Sequence, residues 1–135
     1  MGSGTGRVVC WFARMRVRRV VGIEVIPFCA DISLENAKRL RGRRSPIEIV
    51  QDDFLEADIS TATIMFLFNP CDENTLRQLC MKIKDSLQRH PRRLVIYYHN
   101  PVHRRVLDEE TWLSSEHKMC GAYYGMLYQP LLRKL

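Results

Sequence analysis

The sequence predicts an α/β fold: a mostly parallel sheet with an antiparallel C-terminal edge. Three observations carry the prediction. Short apolar runs rich in β-branched and aromatic residues recur along the chain. Segments with helical periodicity separate them. The first four runs also lack the clean apolar–polar alternation of a half-exposed antiparallel strand. Strand and helix in alternation are the signature of right-handed crossovers onto one sheet. The length, 135 residues, suits a single domain over 1–135, and 46% hydrophobic with 27% charged residues is enough to bury a core.

The glycine-rich opening leads into a helix predicted to run to about Met15. The first strand is Val20–Glu24. A helix over Phe28–Arg41 follows, with Ala30, Leu34, Ala37 and Leu40 on its expected core face. The next strands are Ile47–Gln51 and Ala62–Phe68. Between the latter and Leu94–Tyr98 lies a helix over Asp72–Leu87, which places Leu76, Leu79, Cys80, Ile83 and Leu87 at helical spacing. Asp72 and Glu73 sit in its first turn, where acids complement the helix dipole. After His99 the sequence predicts a short helix over Val102–Leu107 and a final antiparallel pair, Thr111–Lys118 and Tyr123–Tyr128.

Charge is segregated along the chain. The net charge is +6, but residues 1–44 carry +7, residues 45–76 carry −7 with no Lys or Arg, and residues 77–135 carry +6. The acidic block covers the loops after the second and third strands. In an open α/β sheet, loops at the carboxyl ends of strands face the ligand. Apolar runs fall well short of the roughly 18–20 residues of a spanning helix. The N-terminus has no apolar leader core, so neither secretory leader nor membrane anchor is expected. Five cysteines without CxxC spacing fit a reduced, cytoplasmic setting.

Three features fall in register. Gly2-Ser3-Gly4-Thr5-Gly6 precedes a helix; glycines permit positive φ and close backbone approach to a ligand, although such a start also reads as a linker. Glu24 ends the first strand, where a carboxylate can accept both hydroxyls of a ribose or simply be a solvated strand-end acid. Asp53 and Phe54 follow the second strand. There a carboxylate can accept an adenine amino group and the ring can cover the base, or the aspartate can serve a local turn.

Together these residues resemble the class I S-adenosylmethionine-dependent methyltransferases, a Rossmann-like three-layer sandwich. The resemblance implies S-adenosyl-L-methionine as cofactor, bound by Gly2, Gly4, Gly6, Glu24, Asp53 and Phe54. Residues 2–100 carry it. The loop after the third strand, Asn69-Pro70-Cys71-Asp72, takes the family's reaction-side position and makes Asn69 and Pro70 the catalytic candidates. It is similar to the family's (Asp/Asn)-Pro-Pro-(Tyr/Phe) motif only in its first two residues, which argues against adenine-N6 or glutamine methylation. Asp72 reads equally as a helix cap. A nicotinamide site fits less well, because the third glycine comes one place too early for Gly-x-Gly-x-x-Gly.

The family's first strand precedes its glycine loop and occupies the sheet centre, whereas only Met1 precedes Gly2 here. The resemblance therefore implies an N-terminally incomplete domain with that central strand missing, hence marginal stability and weak activity or none. The expected acceptor is a protein side chain or RNA. The rival reading is a non-catalytic methyltransferase-like fragment acting as a binding or structural module. Arginine runs at 14–19 and 38–44 could follow a phosphate backbone or be solvated helix faces. His99 and His103 have no third ligand in sequence, so no metal site is expected.

Overall fold

A computed structural model describes residues 1–120 and 123–131. The chain forms two compact units, Met1–Ala57 and Asp58–Leu135. The first contains α1 (Arg7–Phe12), β1 (Val20–Glu24), α2 (Pro27–Arg39) and β2 (Ile47–Gln51). β1 and β2 pair in parallel from Val20↔Ile47 to Glu24↔Gln51, so this unit is a β–α–β crossover preceded by one helix. Both strands have the bounds expected from their apolar runs.

α1 ends sooner than expected, at Phe12. The Ala13 carbonyl, which in a longer helix would accept from Val17, instead accepts from Arg44 N at 2.8 Å and Ser45 N at 3.1 Å. Val17 N donates to Ser45 Oγ at 3.0 Å. The core face of α2 also differs from expectation. Its buried residues are Ala30, Ser33 and Ala37, while Leu34 is 44% exposed. These small side chains let the glycine loop approach α2 closely: a Cβ at Gly6 would collide with Ser33. Leu34, one step round the helix, is carried off that face.

The second unit contains β3 (Ile64–Leu67), α3 (Glu73–Arg89), β4 (Val95–His99), α4 (Arg104–Asp108), β5 (Leu113–Cys120) and β6 (Tyr123–Pro130), in sheet order β3-β4-β6-β5. β3 and β4 are parallel, and β6 is antiparallel to both β4 and β5. The expected antiparallel edge is therefore present. Leu76, Leu79, Cys80, Ile83 and Leu87 are all buried along one side of α3, as their spacing requires. β3, shorter than the expected Ala62–Phe68, buries Met65 and Leu67 but leaves Ile64 more than half exposed and Phe66 half-buried, so it is covered on one face rather than two. Among the described elements, β1 and β3 each have one ladder partner.

One cation organises the second unit. Arg92 uses all five of its N–H donors. Nε donates to Ala62 O (2.8 Å), Nη1 to Ser86 O (3.2 Å) and His90 O (2.8 Å), and Nη2 to Ile59 O (2.8 Å) and Ser86 Oγ (3.0 Å). The fork thus ties the loop before β3 to the C-terminal turn of α3. Burial lowers the guanidinium's pKa, opposed by Asp58, from a range so high that the group stays charged. Lysine has three donors and no planar fork. Arg92→Lys is expected to cost about 2–3 kcal/mol in urea unfolding. A change within about 0.5 kcal/mol, the range of an ordinary surface substitution, would remove Arg92 from this role.

Candidate functional site

In the first unit the glycine loop wraps over the carboxyl tip of β1. Gly2, Gly4 and Gly6 all have positive φ, at 61°, 53° and 82°. Ser3 N donates to Ile23 O at 2.9 Å and Gly6 N to Ser3 O at 3.0 Å. Asn36 of α2 donates from Nδ2 to Thr5 O at 2.9 Å. Glu24 closes the arrangement: Oε2 accepts from Gly4 N at 2.6 Å and Oε1 from Ile26 N at 3.1 Å. Its side chain is buried, at 6% exposure. Each carboxylate oxygen offers two lone pairs, so acceptor capacity remains after these bonds.

Gly22, inside β1, makes the approach of the loop feasible. A Cβ there would lie 2.8 Å from Val9 Cγ2 and 3.0 Å from Ser3 Oγ. On its other side the loop is open, since a Cβ at Gly4 would meet nothing within 4 Å. The Ser3 and Ser33 hydroxyls are buried without a hydrogen-bond partner among the described residues. Sequence reasoning missed both serines, for neither stands out without knowing what the glycines pack against.

Asp53 and Phe54 lie just past the tip of β2. Register Glu24↔Gln51 and the Asp52 N to Glu24 O bond of 3.2 Å bring this turn to the same carboxyl end as Glu24. Asp53 Oδ1 accepts from Leu55 N at 2.8 Å, and Asp53 O accepts from Glu56 N and Ala57 N. Asp53 thus shapes its own turn while its side chain remains exposed; Phe54 is half-buried. The loop, Glu24 and the Asp53–Phe54 turn share one end of one unit.

Asn69 and Pro70 belong to the second unit, where a relation not visible in sequence emerges. β3 and β4 each run into an Asn-Pro turn, Asn69-Pro70 and Asn100-Pro101, two positions beyond the register pair Leu67↔Tyr98. Both asparagines are left-handed, at φ 43° and 45°. A residue before proline is normally extended, so each turn stores about 1 kcal/mol or more of strain. Asn69 Oδ1 accepts from Val102 N at 3.1 Å, linking one turn to the other. Asp72 caps α3 by accepting from Thr75 N at 2.8 Å, which lowers its pKa.

Beside the second turn lies a cavity of about 410 Å³ lined by Asn100, Pro101, Val102, Arg104, Arg105 and Tyr124. The His99 ring sits among Phe66, Phe68 and Tyr97, with centroids 5.2–6.1 Å away. Gly125 leaves room for the Tyr97 ring across β6. Burial pushes the Cys80 thiol up to about 12, leaving it protonated and inert as a nucleophile.

The glycine-loop geometry makes a sharp forecast. Gly6→Ala places a Cβ 3.1 Å from Ser33 Cα at φ +82° and is expected to cost about 2–3 kcal/mol. Ser33→Ala removes a buried hydroxyl that has no partner, so it is expected to be neutral or slightly stabilising. Thermal melts of the two variants check both, and an unperturbed Gly6→Ala would contradict the packing described.

No protein-family model and no curated protein matches the sequence. Solved structures do resemble it. An RNA methyltransferase from Salinibacter ruber in complex with S-adenosyl-L-homocysteine is 25% identical at TM-score 0.70, over 96% of this chain and 76% of that one. A methylase from Haemophilus influenzae is 18% identical at TM-score 0.63, over 96% and 83%. The magnesium protoporphyrin IX methyltransferase of Synechocystis, with S-adenosylmethionine bound, is 14% identical at TM-score 0.60, over 96% and 66%. With these neighbours and the strand order within its sheets, the chain has the Rossmann-like fold of the class I S-adenosylmethionine-dependent methyltransferases.

Proposed function

We propose that the chain binds S-adenosyl-L-methionine at the carboxyl end of β1 and β2 and supports methyl transfer to RNA. The observation that carries the reading is the buried Glu24 carboxylate bonded to Gly4 N at the tip of β1. It holds a loop of positive-φ glycines open beside an acid with unused acceptor capacity. That donor and acceptor set fits an adenosyl ligand.

In this reading Gly2, Gly4 and Gly6 bring backbone close to the ligand, and Glu24 accepts from the ribose hydroxyls. Asp53 accepts from the adenine amino group with the oxygen its turn does not use, and Phe54 covers the ring. Asn69 and Pro70, in the second unit, keep the acceptor-side role that the resemblance implies, and the Asn69–Val102 bond makes their turn rigid. The cofactor supplies a methyl group already activated on a sulfonium, so transfer depends on positioning and in-line approach more than on acid–base groups. Asp72, engaged as a cap, is left to structure. RNA is preferred over a protein side chain because the Salinibacter ruber neighbour is an RNA methyltransferase. Five cysteines without CxxC spacing fit a reducing, cytoplasmic setting.

Titration calorimetry with S-adenosylmethionine tests the cofactor site. Glu24→Gln is expected to weaken binding about tenfold or more, equivalent to at least about 1.4 kcal/mol. Unchanged affinity would refute the site. Asp53→Asn keeps an oxygen for the Leu55 bond, so it is expected to weaken cofactor binding while holding stability; Asp53→Ala loses both.

The acceptor side makes a separate forecast. Asn69→Ala is expected to lower methyl transfer to RNA at least tenfold while leaving cofactor affinity unchanged. Full transfer by this variant would remove Asn69 from the acceptor-side role. Cofactor binding with no transfer to RNA or protein would favour a non-catalytic binding module instead.

A further inference from the structure

Two arginine-rich segments more than twenty residues apart are fastened side by side in the first unit. The Ala13 carbonyl accepts from both Arg44 N and Ser45 N, at 2.8 and 3.1 Å. Ser45, only 2% exposed, places its hydroxyl 2.6 Å from Met15 O and 2.8 Å from Val17 O, and accepts from Val17 N at 3.0 Å. One buried serine thus knots residues 13–17 to residues 44–45. These arginines are therefore not helix faces, one of the readings their sequence allowed, but two loops pinned by backbone.

The result is a cationic surface at the amino end of β1 and β2. Arg14, Arg16, Arg18, Arg19, Arg41, Arg43 and Arg44 are all exposed, and their segments contain no acid and no lysine. Arg19 pairs with Glu48 at 3.0 Å. The other six make no ion pair among the described residues. Lys38 and Arg39 are different, since both pair with Glu35 on α2.

Like charges held together by a rigid backbone repel one another until a polyanion covers them. Guanidinium forks take phosphate oxygens bidentately and can stack on bases, whereas an ammonium is a point charge. A fluid anionic bilayer is served as well by lysine. A fixed array made only of arginine suits the fixed phosphates of a nucleic acid.

We infer that the Arg14–Arg19 and Arg41–Arg44 loops form an RNA-backbone-binding surface at the amino end of β1 and β2. The identification of RNA as the polyanion rests on the proposed function, while the surface itself rests on the fastening and the unpaired arginines. β1 is five residues long, so the surface lies roughly 15 Å along the strand from Glu24. It grips RNA that flanks the acceptor nucleotide and contributes affinity without touching the transfer step.

Fluorescence anisotropy with a labelled RNA stem-loop across a potassium chloride series tests this. Replacing Arg14, Arg16, Arg43 and Arg44 together by Gln is expected to weaken binding more than about tenfold near 0.1 M salt. The slope of log K against log salt should flatten by about 3, from four lost phosphate contacts. Replacing the same four by Lys, which preserves charge, should keep the slope and lose affinity severalfold. Lys38→Gln with Arg39→Gln should leave affinity within about twofold, these side chains being already paired.

Unchanged affinity and slope in the Gln variant would overturn the inference, as would an equal loss in the Lys38/Arg39 variant. Phosphatidylserine vesicles that displace RNA from the wild type at equal phosphate would overturn it in favour of a membrane surface. Cofactor calorimetry on the same variants should be unchanged. A wild type that binds RNA through these arginines but binds no S-adenosylmethionine would sink the methyltransferase reading and leave this surface standing.

Discussion

A carboxylate buried at the tip of a strand must find hydrogen-bond donors close by, because an ionised group without them is too costly to bury. Glu24 finds them in Gly4 N and Ile26 N. That constraint organises the whole first unit. The bond to Gly4 draws the N-terminal loop back over β1. The bond to Ile26 fixes how the chain leaves β1 and enters α2, where Pro27 at the first helical position is preset for helical φ. With the loop drawn in, Gly22 must lack a side chain, Ser33 must be small, and Gly6 must take a conformation that other residues resist. The glycines, the small face of α2 and the acid are one packing solution with several visible parts.

The second unit solves a different problem with similar means. β3 and β4 are parallel neighbours, and both must turn away from the sheet at the same level. Each does so through an asparagine, the non-glycine residue that tolerates left-handed backbone best, followed by proline. The side chain of the first asparagine satisfies a backbone donor just after the second. The strain of the two turns is held by the ladder beneath them and by α3, whose entry Asp72 caps. Strain carried at a strand's carboxyl end, beside an open cavity, is a common accompaniment of function.

Much of this was legible in the chain. β1 and β2 announced themselves with correct bounds, because short segments rich in valine and isoleucine, begun after Arg19 or Pro46, leave little latitude. The α3 stripe was legible for the same reason: leucines at helical spacing have one way to bury themselves. Leu34 was misread because apolarity is a poor guide where close approach decides the buried face; Ala30, Ser33 and Ala37 win by being small. The end of α1 was misread because no local signal marks it. A carbonyl diverted to residues 44 and 45 is a long-range event, and sequence periodicity reports only short-range ones. The glycines and Glu24 could be picked out as a set, but the bond that makes them a set, and the serines beneath them, required the fold.

The net charge of +6 conceals how the β1–β2 unit is polarised along its strands. Glu24, Asp52 and Asp53 stand at the carboxyl end, and seven arginines stand at the other. Under the proposed function this separation has a physical logic. A sulfonium cofactor that also carries an ammonium group is cationic, and its ribose and adenine present hydrogen-bond donors, so carboxylates suit it. The same carboxylates repel an RNA phosphate backbone, and an acceptor bound only there would meet the wrong field. A fixed basic surface at the far end lets one small unit attract both ligands. Screening over roughly 8 Å at physiological salt keeps the two fields largely independent. Ser45 matters because it makes the basic surface a property of the fold. Without that knot, residues 14–19 and 41–44 would be two separate arginine loops, each paying its own ordering entropy to meet a phosphate.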